Sequence, residues 1–239
     1  MTVRHHNLTV EWLGYATARL ETTDGTVAYT DPGRYGVLED YWGKDADLVV
    51  VTHNHHYSTD GIRSVAGNDA TIVVYEGVDA SEIDRDVDPV DELAQEFEVV
   101  RIGEEDRVTV GDVTVWSVPA YNDPEGPNAQ DGEVAHPPGL GVGYLLSLSG
   151  TTVFWQGDSD ALDGFAELDV SLYLANIGNG GIVSDRHQAA DLAEKLDPDL
   201  VVPIHYDTFE QLEADDDAFA ADVASRSIPV ALDRRSANQ

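Results

Sequence analysis

The chain has 239 residues, 42% of them hydrophobic and 8% aromatic, which is ample to bury a core in a single domain over residues 1–239. Thirteen basic residues stand against 46 acidic ones, a formal net charge of −33. A field of that sign repels phosphate backbones and anionic lipid, so no nucleic acid and no membrane surface is expected as a partner. There is no cysteine, which excludes disulfides, thiolate metal sites and a cysteine nucleophile. No apolar run approaches the roughly 18 residues a membrane span needs, and Met1 to Trp12 carries no apolar leader region, so a cytoplasmic location is expected.

The elements follow in chain order. Leu8–Leu13, Thr17–Glu21 and Thr26–Thr30 are short β-prone runs, with Thr23-Asp24-Gly25 as a hairpin turn. Leu48–Thr52 is continuously apolar, the pattern of a strand buried on both faces, and it runs into a histidine-rich loop. A short helix is expected from near Asp60, a strand over Thr71–Tyr75, and a helix within the acidic stretch Val78 to Phe97. The second half repeats the theme. Strands are predicted at Val99–Ile102, Arg107–Val110, Val113–Val118, Val142–Leu148, Thr151–Gln156, Val170–Leu174 and Leu200–Ile204. Helices are predicted at Arg186–Leu196, capped by Asp185 and ended before Pro198, and at Ala218–Ser225. Ile228–Leu232 reads as a last strand and Arg234–Gln239 as a frayed end. Two halves, each with strands first and a helix later, imply two sheets packed face to face with helices outside.

The acid is dispersed from Glu11 to Asp233, concentrated only at Glu213 to Asp217, and just two lysines occur, Lys44 and Lys195. That pattern reads as a salt-adapted (halophilic) surface rather than an acidic interaction tail.

Three strand ends deliver metal-competent side chains. Thr52-His53-Asn54-His55-His56-Tyr57 follows the first apolar strand, Gln156-Gly157-Asp158 follows a second, and Ile204-His205-Tyr206 a third. Alternate residues share a face, so His53 and His55 can address one ion. A lone His-x-His is as readily a solvated loop; the added carboxylate and third imidazole favour a metal site instead, zinc first, with manganese or iron as other occupants. His5 and His6 read as solvent-exposed, His187 as a surface residue and Tyr206 as packing. Asn176 to Gly181 is either a structural turn or a backbone cradle for an anion.

On these residues the chain resembles the metallo-β-lactamase superfamily, and most its short stand-alone zinc-dependent hydrolases related to ascorbate-6-phosphate lactonase. The matching segments are Val10–Thr17, Thr30-Asp31-Pro32, Val50–His55, Val118–Asn122, His136-Pro137, Gly141–Tyr144, Gly157-Asp158 and Pro203–Tyr206, in order over about residues 8 to 208. The resemblance implies an α/β fold, an αββα four-layer sandwich with a dinuclear site at one edge of the paired sheets. It also implies that Asp158 bridges, that His205 is the last ligand, and that Asp31 supports a ligand histidine by hydrogen bonding.

The chain departs from the family motif His-x-His-x-Asp-His. Without a gap the last two positions fall on Tyr57 and Ser58, and with a one-residue shift on Ser58 and Thr59. His56 or Asp60 is the candidate substitute. Asn122 stands where a third histidine is usual, which leaves His136 as its replacement and Asn122 in a supporting role. The inventory is therefore His53, His55, Asp158 and His136 for one ion, tightly held, and His205 with Asp158, plus His56 or Asp60, for a weaker second. The implied function is hydrolysis of an ester, lactone or phosphoester of a small-molecule substrate by a metal-activated water, with Asp158 and His205 catalytic. The alternative is a catalytically silent metal- or ligand-binding member of the fold.

Overall fold

The computed structural model describes residues 2–178 and 181–234. Seven strands form one sheet in sequence order: β1 (Val3–His5), β2 (Leu8–Gly14), β3 (Thr17–Thr22), β4 (Val27–Thr30), β5 (Ala46–Val51), β6 (Ala66–Tyr75) and β7 (Glu98–Ile102). Strands β1 to β4 are antiparallel and β4 to β7 parallel. Six strands form the second sheet: β8 (Arg107–Val110), β9 (Val113–Ala120), β10 (Gly141–Leu148), β11 (Thr151–Trp155), β12 (Leu172–Asn176) and β13 (Leu200–Ile204). Its order is β13-β12-β11-β10-β9-β8, parallel over β11 to β13 and antiparallel elsewhere. The sheets stack as the two inner layers of an αββα sandwich.

The parallel strands are the apolar ones. Leu48 to Val51 of β5 and every residue of β12 and β13 are buried, as expected of strands covered on both faces. Helix α1 (Thr59–Val65) crosses from β5 to β6, and α3 (Arg186–Leu196) packs on β12 and on α4 (Asp216–Ser225). Asp185 caps α3 with a reciprocal box: its carboxylate accepts from the amides of His187 and Gln188, and Gln188 accepts from the Asp185 amide at 2.8 Å. Such a cap contributes about 1 kcal/mol.

Two expectations change, one strand is added, and two expected segments lie partly outside the described residues. The acidic stretch after Val78 holds only a 3-10 turn at Ala80–Glu82 and the single-turn α2 (Val90–Leu93), because Pro89 cannot continue a helix begun before it. The run at Ile228–Leu232 makes one bridge, Val230 to Val201, rather than a strand. Strand β1 is an addition, too short at three residues to show a period. The loop Asn176 to Gly181 includes Asn179 and Gly180, which lie outside the described residues, as do residues 235–239 of the expected frayed end.

Candidate metal centre

The parallel strands β5, β11 and β13 release His53, Asp158 and His205 at one edge of the sandwich. Getting them there requires two close backbone approaches. Gly157 has φ +68°, and a Cβ on it would meet the Val142 carbonyl at 2.9 Å; a Cβ on Gly141 would meet that of His53 at 2.8 Å. The chain then folds sharply at the histidines, the amides of His56 and Tyr57 both donating to the His53 carbonyl at 3.1 Å.

Asp158 is the hub. Its Oδ2 lies 3.3 Å from His136 Nε2, 3.4 Å from His56 Nε2 and 3.7 Å from His53 Nε2, and its Oδ1 lies 3.1 Å from His205 Nε2. All five groups are buried. Burial alone would raise the carboxyl pKa; the imidazoles of His205, His56 and His136 reverse this and hold it well below the usual range. Two donor groups therefore share Asp158: His53, His55, His136 and Asp158 on one side, His56, Asp158 and His205 on the other.

The tautomers follow from the partners. His136 Nδ1 lies 2.8 Å from the Ile182 carbonyl, which only accepts, so Nδ1 carries the proton and Nε2 turns its lone pair toward the centre. Thr52 Oγ1 donates to Asp31 Oδ2 at 3.0 Å and faces Nδ1 of His53 at 2.9 Å and of His56 at 3.0 Å. It has one proton to give, so both rings donate to it and both turn Nε2 inward. His53 Nε2 is enclosed and has no hydrogen-bond partner among the described residues. His55 Nδ1 lies 3.1 Å from His136 Nε2, at the solvent edge.

The two histidines of the loop differ in charge. Burial, then His136 and His56, lower the His55 pKa to about 4. Burial also disfavours charged His56, but Asp158 and Asp31 outweigh it and raise its pKa to about 9. Asp31 is the reason His56 can stand there. Its Oδ1 accepts from the Thr52 amide at 2.8 Å, and its Oδ2 accepts from Trp155 Nε1 at 2.7 Å and lies 3.0 Å from His56 Nδ1.

Of the residues singled out from the sequence, His53, His55, His56, His136, Asp158 and His205 come together. Asn122 supports from outside: its Oδ1 accepts from the His136 amide at 3.0 Å while its Nδ2 donates to Asp160. Asp60 does not join. It sits in the first turn of α1 with its side chain fully exposed, 4.0 Å from Arg63, because Ser58 caps that helix and directs the turn outward. The motif positions are spoken for as well: buried Tyr57 donates to the Asp88 carbonyl, and Thr59 accepts from the Asp88 amide. His187 is exposed near Asp222, and Tyr206 stacks on Trp12.

Sequence reasoning missed Thr52, Trp155 and Tyr15. Tyr15, in a left-handed turn at φ +47°, lays its ring 4.4 Å from that of His205, and its carbonyl accepts from the His205 amide at 3.0 Å. Thr52 was signalled only by its place immediately before His53. It also missed the strap on the loop: Arg34 donates to the His55 carbonyl at 2.8 Å, and Arg85 donates to the carbonyls of Asn54, His55 and Tyr57.

A model of the beta-lactamase superfamily domain matches residues 9–205. The chain belongs to the metallo-β-lactamase superfamily. This superfamily member is 28% identical over 230 residues to a metal-dependent hydrolase of Methanopyrus kandleri, covering 92% of this chain and 94% of that one. A metal-dependent hydrolase of Pyrococcus furiosus is 26% identical over 193 residues, 79% of each chain. Among solved structures, a metallo hydrolase from Ignicoccus hospitalis superposes with a TM-score of 0.66 at 20% identity over 94% of both chains. A diiron β-hydroxylase from Streptomyces venezuelae gives 0.66 at 15% over 94% of this chain and 52% of that one. Proteins named as a hydrolase and as a hydroxylase thus share this fold.

Proposed function

We propose that the protein is a hydrolase working with two metal ions that share Asp158. One is held by His53, His55 and His136, the other by His56 and His205. The observation that carries this is the buried carboxylate ringed by four imidazoles, with His53 Nε2 enclosed and unpartnered. Buried donors are ordinarily satisfied, and three or four His/Asp donors, with His53, His56 and His136 turned inward by outer hydrogen bonds, fit zinc best, with manganese or iron as other occupants. An ion bound there supplies Lewis acidity and lowers the pKa of water toward neutrality. The chain's own residues do the rest. Asp158 would hold both ions and orient the attacking water between the two groups, His205 would complete the sealed group beside the reacting oxygen, and Asp31 and Thr52 keep the rings in register.

The substrate we infer is a small ester, lactone or phosphoester. A cleft of about 530 Å³, lined by Trp12, Tyr15, Tyr35 and Tyr206 among others, shares Tyr15 with the centre, and ligand sites have this concave, aromatic character. The −33 charge argues against nucleic acid or anionic membrane as the target. The same charge favours a cytoplasm rich in salt, where the melting midpoint rises from dilute buffer to molar KCl; equal midpoints would remove that part.

Metal analysis of protein purified without chelator, joined to an assay on nitrophenyl acetate, a butyrolactone and bis-nitrophenyl phosphate, tests the reading. Two equivalents of metal and hydrolysis of one probe class, lost on chelation and restored by zinc, are expected. Metal retained without hydrolysis of any probe would favour the silent, ligand-binding reading.

A further inference from the structure

A second cluster of metal-competent side chains lies far from the first. His5 ends β1, His6 opens the turn into β2, and Asp199 precedes β13. One ligand atom from each of the three lies within 4.8 Å of the others. The two imidazoles stack, ring centroids 4.0 Å apart and planes inclined by 24°. His5 Nε2 is enclosed and has no hydrogen-bond partner among the described residues. A ring nitrogen shielded from water and left without a partner is a cost the fold would shed if another arrangement were equally good.

The topology locates the cluster. The His205 amide bonds to the Tyr15 carbonyl, so the C-terminal ends of β13 and β2 meet beside the metal centre. His5, His6 and Asp199 precede those two strands and lie at the other end of the sandwich. Five residues of β13 separate Asp199 from His205, about 20 Å at the usual rise. Strands β1 and β13 are also the outermost strands of their sheets on this side. The cluster therefore joins the edge of one sheet to the edge of the other. Strand β1 is three residues long and pairs only with β2.

We propose that His5, His6 and Asp199 form a separate binding site for a divalent transition-metal ion, which clips the N-terminal strand to the α3–β13 connection. Two imidazoles and one carboxylate make up the donor set of zinc, nickel or copper and leave a position for water. The chemistry distinguishes this site from the general cation cloud on a surface with 46 acidic residues. Carboxylates alone favour calcium and magnesium, whereas paired imidazoles favour the later transition metals. The clip adds nothing to the reaction. It binds the native arrangement and not the unfolded chain, so it stabilises by mass action.

Zinc equivalents per chain are measured by equilibrium dialysis in molar KCl with excess calcium, for the natural protein, His6→Asn and Asp199→Asn. Among residues with a side chain, asparagine is well suited to the left-handed backbone of His6, φ +51°, so that variant keeps its turn. Asp199→Asn preserves the shape of an exposed side chain. Each variant is expected to bind one zinc fewer than the natural protein and to gain less in melting midpoint when zinc is added. The difference of one equivalent is expected whether or not the central site loads, so failure of the hydrolase reading and failure of the clip are separable. Equal equivalents in all three proteins, or release of the extra zinc by calcium, would overturn the proposal.

Discussion

The two donor groups around Asp158 share that carboxylate and the Thr52 hydroxyl, and differ in most else. The group of His53, His55 and His136 ends at solvent: His55 is exposed, its ring is uncharged well below neutrality, and its fellows rest on the neutral acceptors Thr52 and Ile182. The group of His56 and His205 is sealed, covered by Tyr15, and backed by a second buried carboxylate, Asp31. In the proposed two-ion site, the difference is one of support behind the ring. His56 would serve as a ligand there because Asp31 behind it fixes its orientation.

That comparison breaks most severely at the shared member. Asp158→Ala is expected to empty both groups and abolish hydrolysis. In metal-free protein it also removes the counter-charge of buried His56, at a cost of about 3–5 kcal/mol for breaking a buried pair. Metal content and urea denaturation report the two effects; an active Asp158→Ala protein would end the two-ion reading. Next come the single-group variants. His56→Ala should drop metal from two equivalents to one, whereas His55→Ala should spare the sealed group and lower affinity only at the open one. If both variants behave alike, the groups are not separate.

Titration sharpens the contrast. Folding raises the His56 pKa from 6.5 to about 9, so the stability it contributes to metal-free protein is complete below pH 6.5 and is lost as pH rises through 9. His55 runs the other way. Its pKa falls to about 4, so the unfolded chain takes up the proton first and stability declines as pH drops from 6.5 toward 4. At pH 7.5, loading the sealed group should therefore expel a proton that loading the open group does not. Calorimetry in buffers of different ionisation enthalpy measures this, and His56→Ala should erase it. The smallest effect belongs to Asp60→Asn. On a fully exposed carboxylate it should leave both the urea midpoint and the metal content unchanged.

What could be read from the sequence was whatever local pattern encodes. Apolar runs at Leu48–Val51 and Leu200–Ile204 announced buried strands, and the polar residues just past them announced the edge where donors gather. The choice between His56 and Asp60 could not be made there. It depends on a backbone reversal at His53–Tyr57 and on Ser58 turning α1 outward, and linear distance carries neither. The role of Asp31 depends on Trp155, 124 residues away. The acidic stretch after Val78 looked like a helix because its apolar residues suit one, yet its use is to present Arg85 to the histidine loop.

The seam between the two halves has a consequence for how the protein is made. His56 and His205 are 149 residues apart in the chain and 3.3 Å apart in the fold. At the roughly 5–20 residues per second of ribosomal synthesis, the three loop histidines leave the ribosome some 7–30 s before their last partner. The first sheet, complete at Ile102, must wait through part of that interval for the strands that cover its inner face. A cell that makes this protein has to keep the nascent first half from aggregating, and from capturing metal in the wrong geometry, until β13 arrives to close the sandwich.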